Sequence, residues 1–129
     1  MDSRGKIVAA AQALEILGRA RSAGQTARLV IGHFDPLLPA HGRRLAEIAA
    51  PGGLLVVLVT DPPDPILPAR ARAELVAALR VIDWVLLGDS TGVEELIGQL
   101  ETDQVFCEEA ADLRRAEDFC RHVRARQGG

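Results

Sequence analysis

Aromatic residues are almost absent from this chain, which has three Phe, one Trp and no Tyr among 129 residues. A packed core must therefore be built from Leu, Val, Ile and Ala, and an apolar content of 48% is enough for one. Long hydrophobic runs are also missing. The longest, residues 54–59, is far shorter than the roughly 20 residues of a membrane-spanning helix, and the polar start has no secretory apolar region. We therefore expect a cytoplasmic protein with no membrane association.

Cysteine and histidine are scarce as well, and the chain has no excess of positive charge. The two cysteines, Cys107 and Cys120, lack the close spacing of a metal-binding or redox pair, and none of the three histidines lies near either in sequence. The pattern favours two reduced thiols and predicts no metal site. A net charge of −3 lacks the basic footprint of a nucleic-acid-binding protein, so no nucleic-acid partner is expected.

Strand-like and helix-like segments alternate along the chain. Strands are predicted over 28–32, 54–60, 83–87 and 103–107, and helices over 7–21, 41–50, 68–80, from Ser90 or Thr91 to 100, and 112–126. The run 54–60 shows no polar alternation, as in strands buried on both faces of a parallel sheet. The sequence predicts one domain over 1–129, a Rossmann-like doubly wound α/β fold with a parallel sheet of four to five strands and helices on both faces.

The loop after the first strand carries the most specific motif. Residues 32–41 match the pattern Gly-x-Phe-Asp-x-x-His-x-Gly-His at four positions, which are Gly32, Phe34, Asp35 and His41. The chain departs from that pattern at Leu38, where the first His would stand, and at Ala40, where the Gly would stand. The motif resembles the nucleotide-binding signature of the cytidylyltransferase-like nucleotidyltransferases.

This resemblance covers residues 5 to 107 and is strongest to the glycero-manno-heptose 1-phosphate adenylyltransferases, with the glycerol-3-phosphate cytidylyltransferases next. It implies transfer of a nucleotidyl group, in which a sugar or polyol phosphate attacks the α-phosphate of ATP or CTP with Mg²⁺ and pyrophosphate leaves. It also implies a nucleotide or phosphorylated small molecule as ligand. Relatives of this kind are often dimers, so a homodimer is expected.

The resemblance also assigns roles to particular residues. His41 would be the catalytic residue, and the nucleotide or phosphate would be bound by Gly32, His33, Phe34, Asp35 and Arg72. Each assignment has a structural alternative. His41 could be an idle residue at a helix start, Phe34 a core residue, Asp35 a cap on backbone N–H groups, and Arg72 a surface or ion-paired cation.

Three hypotheses follow from these matches and losses. Loss of one donor at such a site typically slows a reaction by about 10²–10³, and acidic residues follow the fourth strand at Glu108, Glu109 and Asp112. The first hypothesis is a nucleotidyltransferase fold with a degenerate site, kept to bind a ligand or a partner. The second is a working nucleotidyltransferase that uses His41. The third is an unrelated α/β binding module.

Overall fold

Strands and helices alternate in the computed structural model, which describes residues 2–88 and 92–127 of the chain, with side chains up to Arg121. The strands are β1 (Ala27–Gly32), β2 (Leu54–Val59), β3 (Trp84–Leu87) and β4 (Gln104–Cys107). The helices are α1 (Ala10–Ser22), α2 (Pro39–Ala49), α3 (Ala69–Ala77), α4 (Val93–Leu100) and α5 (Glu109–Gln127). The order of elements is the predicted one.

The four strands form one parallel sheet in the order β3-β2-β1-β4. In the register of the central pair, Ala27 lies opposite Leu54 and Gly32 opposite Val59. The chain moves from β1 to β2 and β3 on one side, and β4 then returns to the other side of β1. The predicted Rossmann-like α/β class is confirmed, and the described sheet has four strands.

Two layers of helices cover the sheet because successive strand residues point to opposite faces. Val57 and its neighbours on one face pack with α2 and α3, whereas Val56 and its neighbours on the other pack with α1 and α4. The cores contain aliphatic side chains and Phe34, as the scarcity of aromatic residues requires. None of the helices in the described ranges has both the length and the apolar character needed to cross a membrane.

The structure moves several predicted element ends. The first helix begins at Ala10 because Ile7 forms a parallel bridge with Val85 and the N–H of Val8 donates to the Val85 carbonyl at 2.9 Å. Pairing with the edge strand therefore replaces the first predicted turn of that helix. The last helix begins at Glu109, three residues before the predicted start. The helix cap predicted at Ser90 or Thr91 lies outside the described residues.

A candidate ligand site at the carboxyl edge of the sheet

The carboxyl ends of all four strands lie at one edge of the sheet, and β1 lies where the strand order reverses. Ligands of open α/β sheets bind at such a point. Three segments meet there: residues 33–38 after β1, residues 60–68 after β2, and the first turn of α5 after β4.

Asp112 is the central residue of this edge, and it is 3% exposed in the first turn of α5. The backbone N–H of His33 donates to its Oδ2 at 2.8 Å, and Arg115 Nη1 lies 2.8 Å from its Oδ1. A Cβ built on Gly32 would collide with Asp112 Oδ2 and would lie 2.9 Å from the Phe34 ring. Glycine at position 32 therefore lets a carboxylate of the same chain approach the end of β1.

His41 is buried beside Asp112 with both ring nitrogens turned to the protein. It is the third residue of α2, and its Nδ1 accepts the N–H of Leu38 at 2.8 Å. The ring proton is therefore on Nε2, which lies 2.8 Å from Asp112 Oδ1. The Nε2–H of His41 is not aligned with this oxygen for a hydrogen bond, so the contact between the ring and the carboxylate is electrostatic. Phe34 covers the ring, with the two centroids 5.3 Å apart.

The surroundings of Asp112 keep its carboxyl group ionised. Burial by itself raises the pKa of this carboxyl, but His41, the His33 N–H and Arg115 together outweigh burial and hold its pKa below the ordinary value of an aspartate. A charged carboxylate therefore occupies the end of β1, next to the histidine that the motif assigns to phosphate chemistry.

Arg72 is completely buried and joins the loop after β1 to the loop after β2. Its Nη1 donates to the His33 carbonyl at 3.1 Å and to the Thr60 carbonyl at 2.7 Å. Its Nε donates to the Leu67 carbonyl at 3.1 Å, and its Nη2 lies 2.5 Å from Asp61 Oδ1. Four contacts to the protein leave at most one N–H of the guanidinium for a ligand.

The carboxylate of Asp35 also forms its hydrogen bonds within the protein. Its two carboxylate oxygens accept the backbone N–H groups of Ile66 and Leu67, at 2.7 and 2.8 Å. These are the contacts of a capping carboxylate, and they hold the loop after β2 against the loop after β1. The preceding residue, Phe34, has a left-handed backbone with φ of 50° and is 1% exposed within the core.

Cations elsewhere at this edge are paired with carboxylates. Arg44 in α2 donates to Glu108 at 2.8 Å, which raises the pKa of the guanidinium, and it lies over the Phe106 ring at 5.7 Å from the centroid. Arg70 pairs with Glu74 at 3.3 Å.

Both cysteines are free, and partial burial raises the pKa of the Cys107 thiol, so this thiol is protonated at neutral pH.

A cavity of about 660 Å³ opens between the loop after β2 and α5. His33, Asp35 and Asp112 line it together with residues 62–66 and the exposed side of α5 from 113 to 121. Its volume is in the range of small-molecule sites. His41 and Arg72 are not among the residues that line it.

Within residues 2–88 and 92–121, whose side chains the structure describes, no group of three or more His, Cys, Asp or Glu side chains is placed to hold an ion. Asp35 is engaged by backbone N–H groups and Asp61 by Arg72.

The structure thus gathers the predicted site residues at one edge but directs several of them inward. His33 and Asp35 line the cavity, whereas Gly32, Phe34, His41 and Arg72 lie beneath it. Their assignment as catalytic or nucleotide-binding residues stays a prediction. Sequence reasoning treated Asp112 only as a nearby acidic residue and did not single out Thr60 or Arg115. The available signal was a carboxylate in the first turn of the helix after β4.

The fold and this edge define an α/β protein with a small-ligand cavity at the switch point of a parallel sheet. The chain is similar to curated archaeal proteins named FAD synthase. It is 33% identical to that of Methanohalophilus mahii over 98 residues, which cover 70% of this chain and 69% of the relative. It is 34% identical to that of Ferroglobus placidus and 36% identical to that of Halomicrobium mukohataei over 80 residues each, which cover 53% and 56% of those relatives.

A solved structure agrees with the sequence matches. The crystal structure of the lipopolysaccharide core biosynthesis protein from Thermoplasma volcanium superposes with a TM-score of 0.59 at 26% identity, over 64% of this chain and 73% of that one. No protein-family model matches the chain. The chain belongs to the nucleotidyltransferase family that includes these archaeal FAD synthases, within the cytidylyltransferase-like superfamily.

Proposed function

We propose that this protein is a non-catalytic member of its nucleotidyltransferase family, which binds a nucleotide-like or phosphorylated small molecule at the carboxyl edge with little or no nucleotidyl transfer. One observation carries the proposal. The buried Asp112 carboxylate occupies the end of β1, on the His33 N–H and beside His41 Nε2. Nucleotidyl transfer needs donors and positive charge around the α-phosphate at such a place, and a carboxylate repels the phosphate.

The contacts of the other candidate groups support the same conclusion. Both ring nitrogens of His41 face protein groups, Nδ1 the Leu38 N–H and Nε2 the Asp112 carboxylate. Arg72 donates mainly to backbone carbonyls inside the protein. Leu38 stands where the family motif has its other histidine, and an aliphatic side chain can donate nothing to a phosphate. The cavity beside Asp112 still has room for a ligand.

A pyrophosphate-release assay tests this proposal. The protein is incubated with Mg²⁺ and either ATP or CTP, each with FMN, with glycerol 3-phosphate and with a heptose 1-phosphate as acceptors. We expect no release above the rate of a His41→Ala variant. Release that depends on His41 in any combination would contradict the proposal.

The alternative is an active nucleotidyltransferase that uses His41, and the identity to proteins named FAD synthase favours it. An enzyme of that name would join the adenylyl group of ATP to the phosphate of FMN. The likeness to the heptose-phosphate group suggests a sugar phosphate as acceptor instead. Under this alternative, His41→Ala would lower the rate of release.

Self-association is a further part of the proposal. Leu113 and Phe119 on α5 are apolar side chains with 38% and 39% of their surface exposed, and a second copy could cover them. The mass in solution at micromolar concentration tests this, and a monomer alone would contradict it.

A further inference from the structure

One ring nitrogen of His33 contacts Thr60, and the other has no hydrogen-bond partner among the described residues. Its Nδ1 lies 3.2 Å from both the carbonyl oxygen and the hydroxyl oxygen of Thr60. A carbonyl can only accept, and the Thr60 hydroxyl donates its own proton to Glu109 Oε2 at 2.7 Å. Nδ1 therefore carries the proton of the ring, and Nε2 is an acceptor with a free lone pair.

No described residue gives His33 Nε2 a hydrogen-bond partner, although the residue is only 6% exposed. The polar atoms sealed in the interior without a partner are His41 Nε2 and Thr102 Oγ1, and His33 Nε2 is not one of them. It therefore reaches the cavity that the ring lines. An acceptor that opens into a cavity can receive a hydrogen bond from a donor group bound there.

Both walls of the cavity carry apolar side chains. Pro62, Pro63 and Ile66 line it from the loop after β2, and Leu113 and Ala116 line it from α5. Apolar side chains on two walls, together with an accessible acceptor, suit a ring compound whose edge carries the donor.

The charges around the cavity disfavour a phosphorylated ligand. Four carboxylates line it, from Asp35, Asp64, Asp112 and Glu117, against one guanidinium from Arg121. Asp35 is fixed by two backbone N–H groups, and Asp112 is fixed by the His33 N–H and Arg115, so neither carboxylate can turn away from the cavity. Each added phosphate would bring further negative charge close to these carboxylates, which repel it.

We propose that this cavity binds a neutral or cationic heterocycle that donates an N–H to His33 Nε2, and that it discriminates against the phosphorylated forms of the same compound. The inference rests on the proposed role of this cavity in ligand binding and narrows its ligand class. In a nucleotidyltransferase family, the triphosphate is expected to bind more tightly than the nucleoside. Here the proposed order of affinities is the reverse, because affinity falls as phosphates are added to the same compound.

Isothermal titration calorimetry of the full chain with adenosine, AMP and ATP tests this order of affinities without measuring catalysis. We expect adenosine to bind about tenfold or more tightly than ATP, with AMP between them. Tightest binding by ATP would overturn the inference, as would the absence of adenosine binding at millimolar concentration. Neither outcome depends on pyrophosphate release. The titration therefore tests the proposed ligand class separately from the assay that tests the proposed lack of catalysis.

Two substitutions of His33 test the acceptor. In His33→Asn the amide N–H can still donate to Thr60, but nothing replaces Nε2, so adenosine affinity should fall about tenfold. In His33→Gln the longer side chain brings an amide group to the position of Nε2, so much of the affinity should remain. Equal affinity of His33→Asn and the wild type would overturn the role of Nε2. Because a variant could fold poorly, the nitrogen NMR resonance of His33 Nε2 in the wild type is a second readout, and it should shift when adenosine is added.

A charge reversal at the rim tests the discrimination. Glu117→Lys should raise ATP affinity several-fold relative to adenosine. Glu15→Lys is the matched control, since Glu15 lies on α1 against the other face of the sheet, 62% exposed and paired with Arg19. Equal changes in the two variants would show that net charge, and not the cavity, sets the order.

Discussion

Removing the Asp112 carboxylate should destabilise the fold more than any exposed substitution on α5. Two variants separate the contributions of charge and shape. Asp112→Ala removes both oxygens, and Asp112→Asn keeps the shape and one oxygen that can accept the His33 N–H. Asp118→Asn is the control on the same helix, because Asp118 is 73% exposed and pairs only with Arg121 among its described neighbours.

The magnitude follows from the contacts of the carboxylate. Asp112 is 3% exposed and is approached at 2.8 Å by the His33 N–H, Arg115 and His41. Removing one partner of a buried charge pair typically costs about 3–5 kcal/mol, which is the expected loss for Asp112→Ala. Asp112→Asn loses the charge and turns an amide N–H toward groups that themselves donate, so we expect about 2–3 kcal/mol. Asp118→Asn should cost less than about 1 kcal/mol.

Urea unfolding at neutral pH measures these differences. Single domains have free energies of unfolding of about 5–15 kcal/mol, so a loss of this size shifts the midpoint well outside experimental error. With a slope of about 2 kcal/mol per M of urea, Asp112→Ala should lower the midpoint by roughly 2 M. Unchanged slopes would show that the native state, and not the denatured state, carries the effect.

The result that would refute this reasoning is specific. If Asp112→Ala and Asp112→Asn both fall within about 0.5 kcal/mol of the wild type, as Asp118→Asn should, the carboxylate does not hold α5 to the end of β1. The same outcome would remove the observation on which the proposed lack of catalysis depends.

Three further predictions concern the same edge of the sheet. Gly32→Ala should lower stability by about 1–3 kcal/mol because its Cβ would collide with Asp112, whereas Gly42→Ala in α2, with no atom within 4 Å of the added carbon, should raise it by about 0.5–1 kcal/mol; thermal unfolding compares the two. Arg72→Lys should cost about 3 kcal/mol, measured by urea unfolding, because an ammonium cannot reach three carbonyls in two loops at once. The lowered pKa of Asp112 means that its contribution is present above the ordinary value of 3.8 and is lost as pH falls through the lower folded value. Wild-type stability should therefore fall more steeply than that of Asp112→Asn between about pH 4 and pH 2, and a parallel fall in urea midpoints would contradict the shift.

Much of the fold could be predicted from local patterns. Runs such as 54–59 and the amphipathic spacing of the helices reflect burial on one or both faces, which periodicity records directly. The start of α1 could not be predicted this way, since Ile7 fits a helical face but pairs with Val85 on a distant strand. Long-range backbone pairing overrides local preference, and nothing near Ile7 in the sequence indicates its partner.

The candidate site was predictable in its place but not in its geometry. The motif located the loop after β1, and the fold brought His33, Asp35 and His41 to that edge as expected. The sequence could not show that Asp112, 71 positions beyond His41 in the printed sequence, would lie against its ring. Which nitrogen of His33 is left free also depends on Thr60 and Glu109, whose contacts exist only in the folded chain.

The sequence by itself determined the α/β class, the order of the elements and the nucleotidyltransferase superfamily, because these depend on periodicity and on a motif that is continuous along the chain. It also determined which donor groups are missing, since Leu38 cannot replace a histidine in any fold. Only the tertiary structure decided how the remaining groups are used. The contacts of Asp112, Arg72 and Asp35 join segments far apart in the chain, so the burial and electrostatics that turn these groups inward arise when β1, the loop after β2 and α5 pack together.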